Sequence, residues 1–171
     1  MTFYAVDKLI SEARRIAAEY RRTTGKSLGI SAEIAKHDAC RLLALEPVEE
    51  TGGYDAIDAR RQNTEQAAQR IQIKGRTIFE DGKSGQRIGQ LKLEQPWDAV
   101  VLVLMDEEFE TFEIHLAQRQ QIIEALEEKK HNSRSRRGAM SVARFKRISR
   151  VVWTREEGRV QDDALWDNQT G

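Results

Sequence analysis

From about Val6 to Thr24 apolar residues return at helical spacing: Val6, Leu9, Ile10, Ala13, Ile16, Ala17 and Tyr20. Residues three and four apart share one face of a helix, so the segment predicts an amphipathic helix. Gly25 and Gly29 bracket a turn, and Ser31 is placed to cap a second helix running to about Leu45. Ala35, Ala39, Leu42 and Leu43 form the buried stripe of that helix, with Glu33 and His37 one turn apart on the other side. Pro47, which lacks an N–H, is expected to end it.

The period then changes. Tyr54 to Asp58, after Gly52-Gly53, predicts a short strand, and 61–69 is polar, a loop or helical excursion. Arg70 to Arg76 alternates strictly, with Ile71 and Ile73 on one face and Gln72 and Lys74 on the other. Glu80 to Gln86 carries the turn pairs Asp81-Gly82 and Ser84-Gly85. Ala99 to Met105 is continuously apolar, the pattern of a strand covered on both faces, and Phe112 to Leu116 alternates and pairs with it across a turn at Asp106 to Glu108. Ala117 to Lys130 predicts a helix with Ile122, Ile123 and Leu126 inward. A last helix, capped by Ser141, is expected to run through about Val152 with Val142, Phe145 and Ile148 inward. The expected architecture is an α/β (or α+β) sandwich: one central mixed sheet of about four strands flanked by helices. Residues 1–158 form a single domain on this reading, and 159–171 a flexible tail.

Composition fits that picture and narrows the classes. The chain has 171 residues, 33% charged and 39% hydrophobic, as a folded domain does. Its longest apolar run, Ala99 to Met105, is far short of the roughly 20 residues that span a bilayer, so no membrane partner is expected. No basic segment followed by an apolar one opens the chain, and the single cysteine, Cys40, cannot form an internal disulfide. Both features lead to the expectation of a cytoplasmic protein. The totals of 28 basic and 28 acidic residues conceal an asymmetry: from Lys129 to Arg150 there are nine Lys or Arg and no Asp or Glu. Clustered cations of this kind suit a polyanion, because they release counterions from a phosphate backbone. A solvated basic loop is the plainer explanation for the Lys129 to Arg137 half.

Candidate chemistry concentrates in three places. Glu33 lies on the second helix, Asp55 on the first strand, and Gln72-Ile73-Lys74 on the next. Strand geometry puts Gln72 and Lys74 on one face, about 7 Å apart, and a neighbouring strand about 5 Å away can bring Asp55 opposite them. A metal-dependent phosphodiesterase needs hard oxygen ligands and a nearby cation, and this set offers both. The Ile73 side chain points to the core while its carbonyl stays available to the same site. Each residue has an ordinary explanation too. Asp55 can be a turn aspartate, Lys74 an edge-guarding lysine, and Glu33 a solvated glutamate favoured in the first helical turn. Asp58 falls on the opposite strand face from Asp55. His37, His115 and His131 lie on different elements, and Cys40 with His37 lacks further zinc ligands. No nucleotide-binding glycine motif and no nucleophile elbow is present.

The helix glutamate, strand aspartate and Q-x-K strand, in that order, resemble the PD-(D/E)XK nuclease superfamily, the restriction-endonuclease-like fold, whose core runs helix, three strands, helix, strand. The strings are Ser-Ala-Glu-Ile-Ala at Glu33, Gly-Tyr-Asp-Ala-Ile at Asp55 and Ile-Gln-Ile-Lys-Gly-Arg at Gln72 and Lys74, and the resemblance spans roughly 28–116. The glutamine form is similar to that of Mrr-type restriction endonucleases. The resemblance implies a nuclease acting on nucleic acid, DNA foremost, in restriction, defence or repair. Mg²⁺ or Mn²⁺ would be held by Asp55, the Gln72 amide oxygen, the Ile73 carbonyl and Glu33, with Lys74 as the catalytic cation. Two departures stand out: Gly-Tyr precedes Asp55 where the family has proline, and Gln72 replaces an anionic ligand with a neutral one. Substrate grip falls to Arg76 and to the last helix, where Arg144 and Arg147 lie on one side of the apolar stripe and Lys146 and Arg150 on another. Because this fold often pairs to cut two strands, a homodimer is an expectation, as is a protein partner in a larger system. The competing readings are a nucleic-acid-binding or scaffolding subunit of the same fold without turnover, and a toxin- or antitoxin-like partner protein without metal chemistry.

Overall fold

The computed structural model describes residues 3–49, 52–60, 68–80, 86–128 and 139–160. In chain order the elements are α1 (Phe3–Thr24), α2 (Ser31–Leu43), β1 (Glu46–Pro47), β2 (Ala56–Asp58), β3 (Gln69–Thr77), β4 (Arg87–Ile88), β5 (Ala99–Met105) and β6 (Thr111–Gln118). There follow α3 (Arg119–Glu127), β7 (Met140–Ser141), α4 (Val142–Ile148), β8 (Arg150–Thr154) and β9 (Gly158–Arg159). A seven-stranded sheet runs in the order β1-β2-β3-β5-β6-β8-β9, and β4 pairs with β7 in a separate ribbon. Only β3 and β5 are parallel; every other pairing in the large sheet is antiparallel. The fold is mixed α/β, as the periodicities predict. No helix among the described residues is long and apolar enough to cross a membrane.

All seven residues of β5 are buried. Ala99, Val101, Val103 and Met105 join one core, under α2, while Val100, Leu102 and Leu104 join a second, under α3 and α4. A strand clothed on both faces needs no polar alternation, which is why its apolar run is unbroken. Each buried Val or Leu side chain contributes about 1.5–3 kcal/mol, so this strand anchors both layers. β6 returns across a turn in which Asp106 Oδ1 accepts from the N–H groups of Glu108 and Glu110, at 2.9 and 3.1 Å.

Several expectations need correction. The sheet has seven strands rather than about four, because two-residue strands such as β1 and β9 are too short to leave a period in the sequence. Ser31 is the first helical residue of α2 and caps nothing; Ile30 occupies the cap position without a side-chain bond. Pro47 does not end that helix. Ala44 does, in the left-handed conformation with φ 52°, and Pro47 sits on the short edge strand, where a missing N–H costs little. The last helix stops at Ile148, and Arg150 to Thr154 is a strand. Val152 lies four residues past Ile148, which mimics helical spacing, but Arg-Val-Val-Trp-Thr is a β-branched and aromatic run suited to a pleated surface. Ser141 does cap α4, its Oγ accepting from the Arg144 N–H at 3.1 Å. The expected excursion at 61–69 and turn at Glu80 to Gln86 fall largely outside the described residues, as do the basic loop Lys129 to Arg137 and most of the expected tail.

Candidate functional site

β2 pairs only with Gln69 to Ile71 of β3. Past that pairing the β3 edge is met by Asp55 instead. Asp55 lies just outside β2, one residue before the Ala56–Ile71 pair, rather than on the strand as expected. Its N–H donates to the Ile71 carbonyl at 2.8 Å and its carbonyl accepts from the Val48 N–H at 2.9 Å, so its main chain is fixed from both sides. The side-chain Oδ2 accepts from the Ile73 N–H at 2.8 Å, and Oδ1 lies 3.5 Å from Lys36 Nζ.

Gln72 is 8% exposed. Its Nε2 reaches the Gly53 carbonyl at 3.4 Å, while Oε1 is buried with no hydrogen-bond partner among the described residues. An unsatisfied buried acceptor costs about 1–3 kcal/mol, so its presence beside Asp55 calls for a reason. Thr77 Oγ1 and Gln86 Oε1 are in the same condition, but together, at the far end of β3. Ile73 is buried in the core under α2. Since the N–H and C=O of one strand residue leave by the same edge, its carbonyl shares the edge on which Asp55 sits.

Lys74 projects from the same strand face as Gln72 and is half-buried. Burial holds its ammonium below the ordinary 10.5; Asp55 opposes that shift, and Arg76, Lys36 and Lys92 reinforce it. Burial likewise lowers the Arg76 guanidinium from its ordinary value. The structure therefore brings Asp55 to the stretch of β3 that carries Gln72 and Lys74, and sets Lys36 against its carboxylate.

Glu33 is exposed on the first turn of α2 and lines the same cleft as Asp55, a space of about 560 Å³ shared with Lys36, Cys40 and Val48. It is Lys36, one turn along, that reaches the carboxylate. A residue three positions from Glu33 on a helix shares its face, so the spacing could have pointed to Lys36. The reach depends on how closely α2 lies on the sheet. A side chain at Gly75 would run into Ala35 Cβ and come within 3.2 Å of the Ser31 carbonyl, so glycine there lets the helix settle onto β3. In the same cleft the Cys40 thiol is pushed up to about 11 by burial, aided by the Asp55 charge, which keeps it protonated and unreactive at neutral pH. His37 Nε2 sits 2.9 Å from Asp7 Oδ1. Among the described residues no three side chains of His, Cys, Asp or Glu stand close enough to hold a metal ion by themselves.

The basic residues assigned to substrate grip divide. Arg76 lies on β3 beside Lys74. Arg144 turns inward: its Nη2 donates to the Ala125 carbonyl at 2.5 Å and to Glu128 at 3.1 Å, closing the end of α3. Lys146 Nζ is 3.6 Å from Glu113, whereas Arg147 is exposed on α4. Arg150 belongs to β8 and lines a separate cavity of about 290 Å³ with Asp58 and Arg159. Asp58 itself is engaged by Arg60 at 2.9 Å, away from Asp55. Trp97 is buried in the core under α3. No protein-family model matches the chain, and no curated protein matches it.

Proposed function

We propose that the protein is a nuclease that hydrolyses phosphodiester bonds, with DNA as substrate and Mg²⁺ or Mn²⁺ as cofactor. The observation that carries this reading is the Gln72 Oε1, buried without a partner among the described residues, next along β3 to the Ile73 N–H that Asp55 accepts and two residues from a desolvated lysine. The strand order supports it. α2 is followed by three antiparallel strands, β1, β2 and β3, and then by β5 parallel to the third. A restriction-endonuclease-like core has that order, except that the described part of the β3–β5 connection holds β4 instead of a helix.

Asp55, Gln72 Oε1 and the Ile73 carbonyl would hold the cation, with Glu33 adding negative charge from the cleft. This donor set suits Mg²⁺, which keeps several waters and is held by one or two carboxylates plus substrate phosphates. When bound, the ion supplies Lewis-acid polarisation of a phosphate and a water of lowered pKa. The Ile73 N–H orients the Asp55 carboxylate. The Lys74 ammonium, held out of water, stabilises charge developing on the phosphate oxygens, where a preorganised cation is worth most. Lys36, Arg76 and Lys92 repel a free dication and attract a polyanion, so metal affinity rises once nucleic acid is bound.

Plasmid and single-stranded DNA incubated with Mg²⁺ or Mn²⁺ test the proposal. Wild type should cleave, and Asp55→Ala and Lys74→Ala should not; equal nicking by all three overturns it. One observation favours a binding subunit without turnover: the Lys36–Asp55 ion pair at 3.5 Å already neutralises the carboxylate. On that second reading Lys36→Ala leaves the protein inactive, whereas in a nuclease it tightens metal binding and retains cleavage.

A further inference from the structure

Ile88 and Leu91 are each 1% exposed, and the Trp97 Nε1–H donates to the Lys92 carbonyl at 2.8 Å, so the segment between them is pinned against the sheet. Gly89 lies in it, facing β3. A Cβ built on Gly89 would stand 3.6 Å from Lys74 Nζ and 3.7 Å from Arg76 Nη2. The two cation tips thus face the same side of Gly89, where the missing side chain leaves room beside them. The Arg76 fork is aimed there by its own protein: Nε donates to the Arg87 carbonyl and Nη1 to the Gly75 carbonyl, each at 2.6 Å. Neither Lys74 Nζ nor Arg76 Nη2 donates a hydrogen bond among the described residues. A half-buried ammonium and the remaining arm of a half-buried guanidinium thus face one side of Gly89 with donors left for a ligand.

We infer that the space between these two tips, on the side-chain-free face of Gly89, is a seat for a single phosphate group of a nucleic-acid backbone, bridged by Lys74 and Arg76. A tetrahedral oxyanion accepts from both cations at the 2.7–2.9 Å of charge-assisted bonds, given the room that the missing side chain leaves. Lys92, the third cation of the cluster around Lys74, adds long-range attraction from the exposed side. The seat lies on the strand that carries Gln72, so Lys74 is shared between this phosphate and the neighbouring one acted on at Asp55, and Arg76 belongs to the seat alone. Its ligand rests on the nuclease reading; its geometry does not.

Gly89→Ala is the decisive variant. Its methyl group would make only ordinary contacts with the two nitrogens, so the fold is kept while the seat is filled. Binding of a short single-stranded oligonucleotide is measured with EDTA present, so that neither metal nor cleavage enters. The expected result is a loss of about tenfold for Gly89→Ala, the worth of one charge-assisted hydrogen bond, with an unchanged thermal midpoint. Arg76→Gln should weaken binding similarly and reduce the salt slope by about one. Arg15→Ala, on the exposed side of α1, should change neither. A folded Gly89→Ala that binds the oligonucleotide like wild type overturns the seat. Loss of inorganic phosphate binding with unchanged oligonucleotide binding overturns its assignment to a backbone phosphate. Wild type that binds through Gly89 yet never cleaves DNA keeps the seat and overturns the nuclease alone.

Discussion

Two acidic side chains of this protein are held by cations, and they are held differently. Asp38, 1% exposed, receives both arms of the Arg14 guanidinium at 2.8 and 2.5 Å and the Thr111 hydroxyl at 2.6 Å. Arg14 spends its remaining reach on the Phe109 carbonyl at 2.7 Å. The cluster ties α1, α2 and the β5–β6 turn together, and its buried charges meet partners on every side. Among the described residues, Asp55 meets the Lys36 ammonium at 3.5 Å and one backbone N–H, near an amide oxygen with no donor and a lysine with no acceptor. Closed networks of the first kind rigidify a fold, while incomplete ones of the second kind leave donors and acceptors for a ligand.

Breaking the closed network should have the largest effect on stability. Asp38→Ala strands a buried guanidinium, and removing one partner of a buried ion pair costs about 3–5 kcal/mol. Urea denaturation should show that loss directly; a loss below about 1 kcal/mol would mean that Arg14 finds water or another acceptor and that the cluster is not closed.

The matching change at the open site should leave stability nearly intact. Asp55→Asn keeps an oxygen for the Ile73 N–H and removes only the charge. Unfolding free energy should move by about 1 kcal/mol or less, the net worth of one hydrogen bond. Cleavage should fall about 10²–10³-fold, as expected when one preorganised electrostatic group is lost. A variant as destabilised as Asp38→Ala would assign Asp55 to structure and erase the contrast.

The same contrast explains what the sequence made legible. Period two alone put Gln72 and Lys74 on one face, but Asp55 reaches β3 from just outside the short neighbouring strand instead of from within it. The first is a local rule, and local rules are what one sequence carries. Lys36 was not found, because its reach depends on how far α2 sinks onto Gly75, a tertiary distance. Gly89 was not found either: what matters there is an absent side chain beneath two cations from another strand. Arg144 appeared basic and available, but only the position of the end of α3 shows that it is turned inward. On the fold side, the long helices and β5 were legible from their periods. β1 and β9 were too short to have one, and β8 carried an accidental helical spacing.

Gln72→Met probes the open site by a smaller effect. Methionine has similar length and no polar atom, so the unpaired acceptor disappears. Replacing an unsatisfied buried group by an apolar one should be neutral or stabilising by about 1 kcal/mol, while metal-dependent cleavage falls. Destabilisation instead would indicate that Oε1 is satisfied in solution, removing the main reason to look for a ligand there.

The smallest effect is a pH dependence. The folded-state pKa of Lys74 is lowered, chiefly by burial, from the 10.5 of an ordinary lysine. Below the lowered folded value the group is protonated in both states and the cost of burying its charge is present in full. Between the lowered folded value and 10.5 the unfolded chain binds more protons, so stability rises with pH through that window. Other lysines titrate there too, so the measurement is the difference between wild type and Lys74→Met, which should tilt towards wild type as pH rises and level off above 10.5. Asp55→Asn removes the charge that opposes the shift and should extend the tilt to lower pH. A level difference curve would place the Lys74 ammonium in water, and a solvated lysine has no need of a phosphate to complete it.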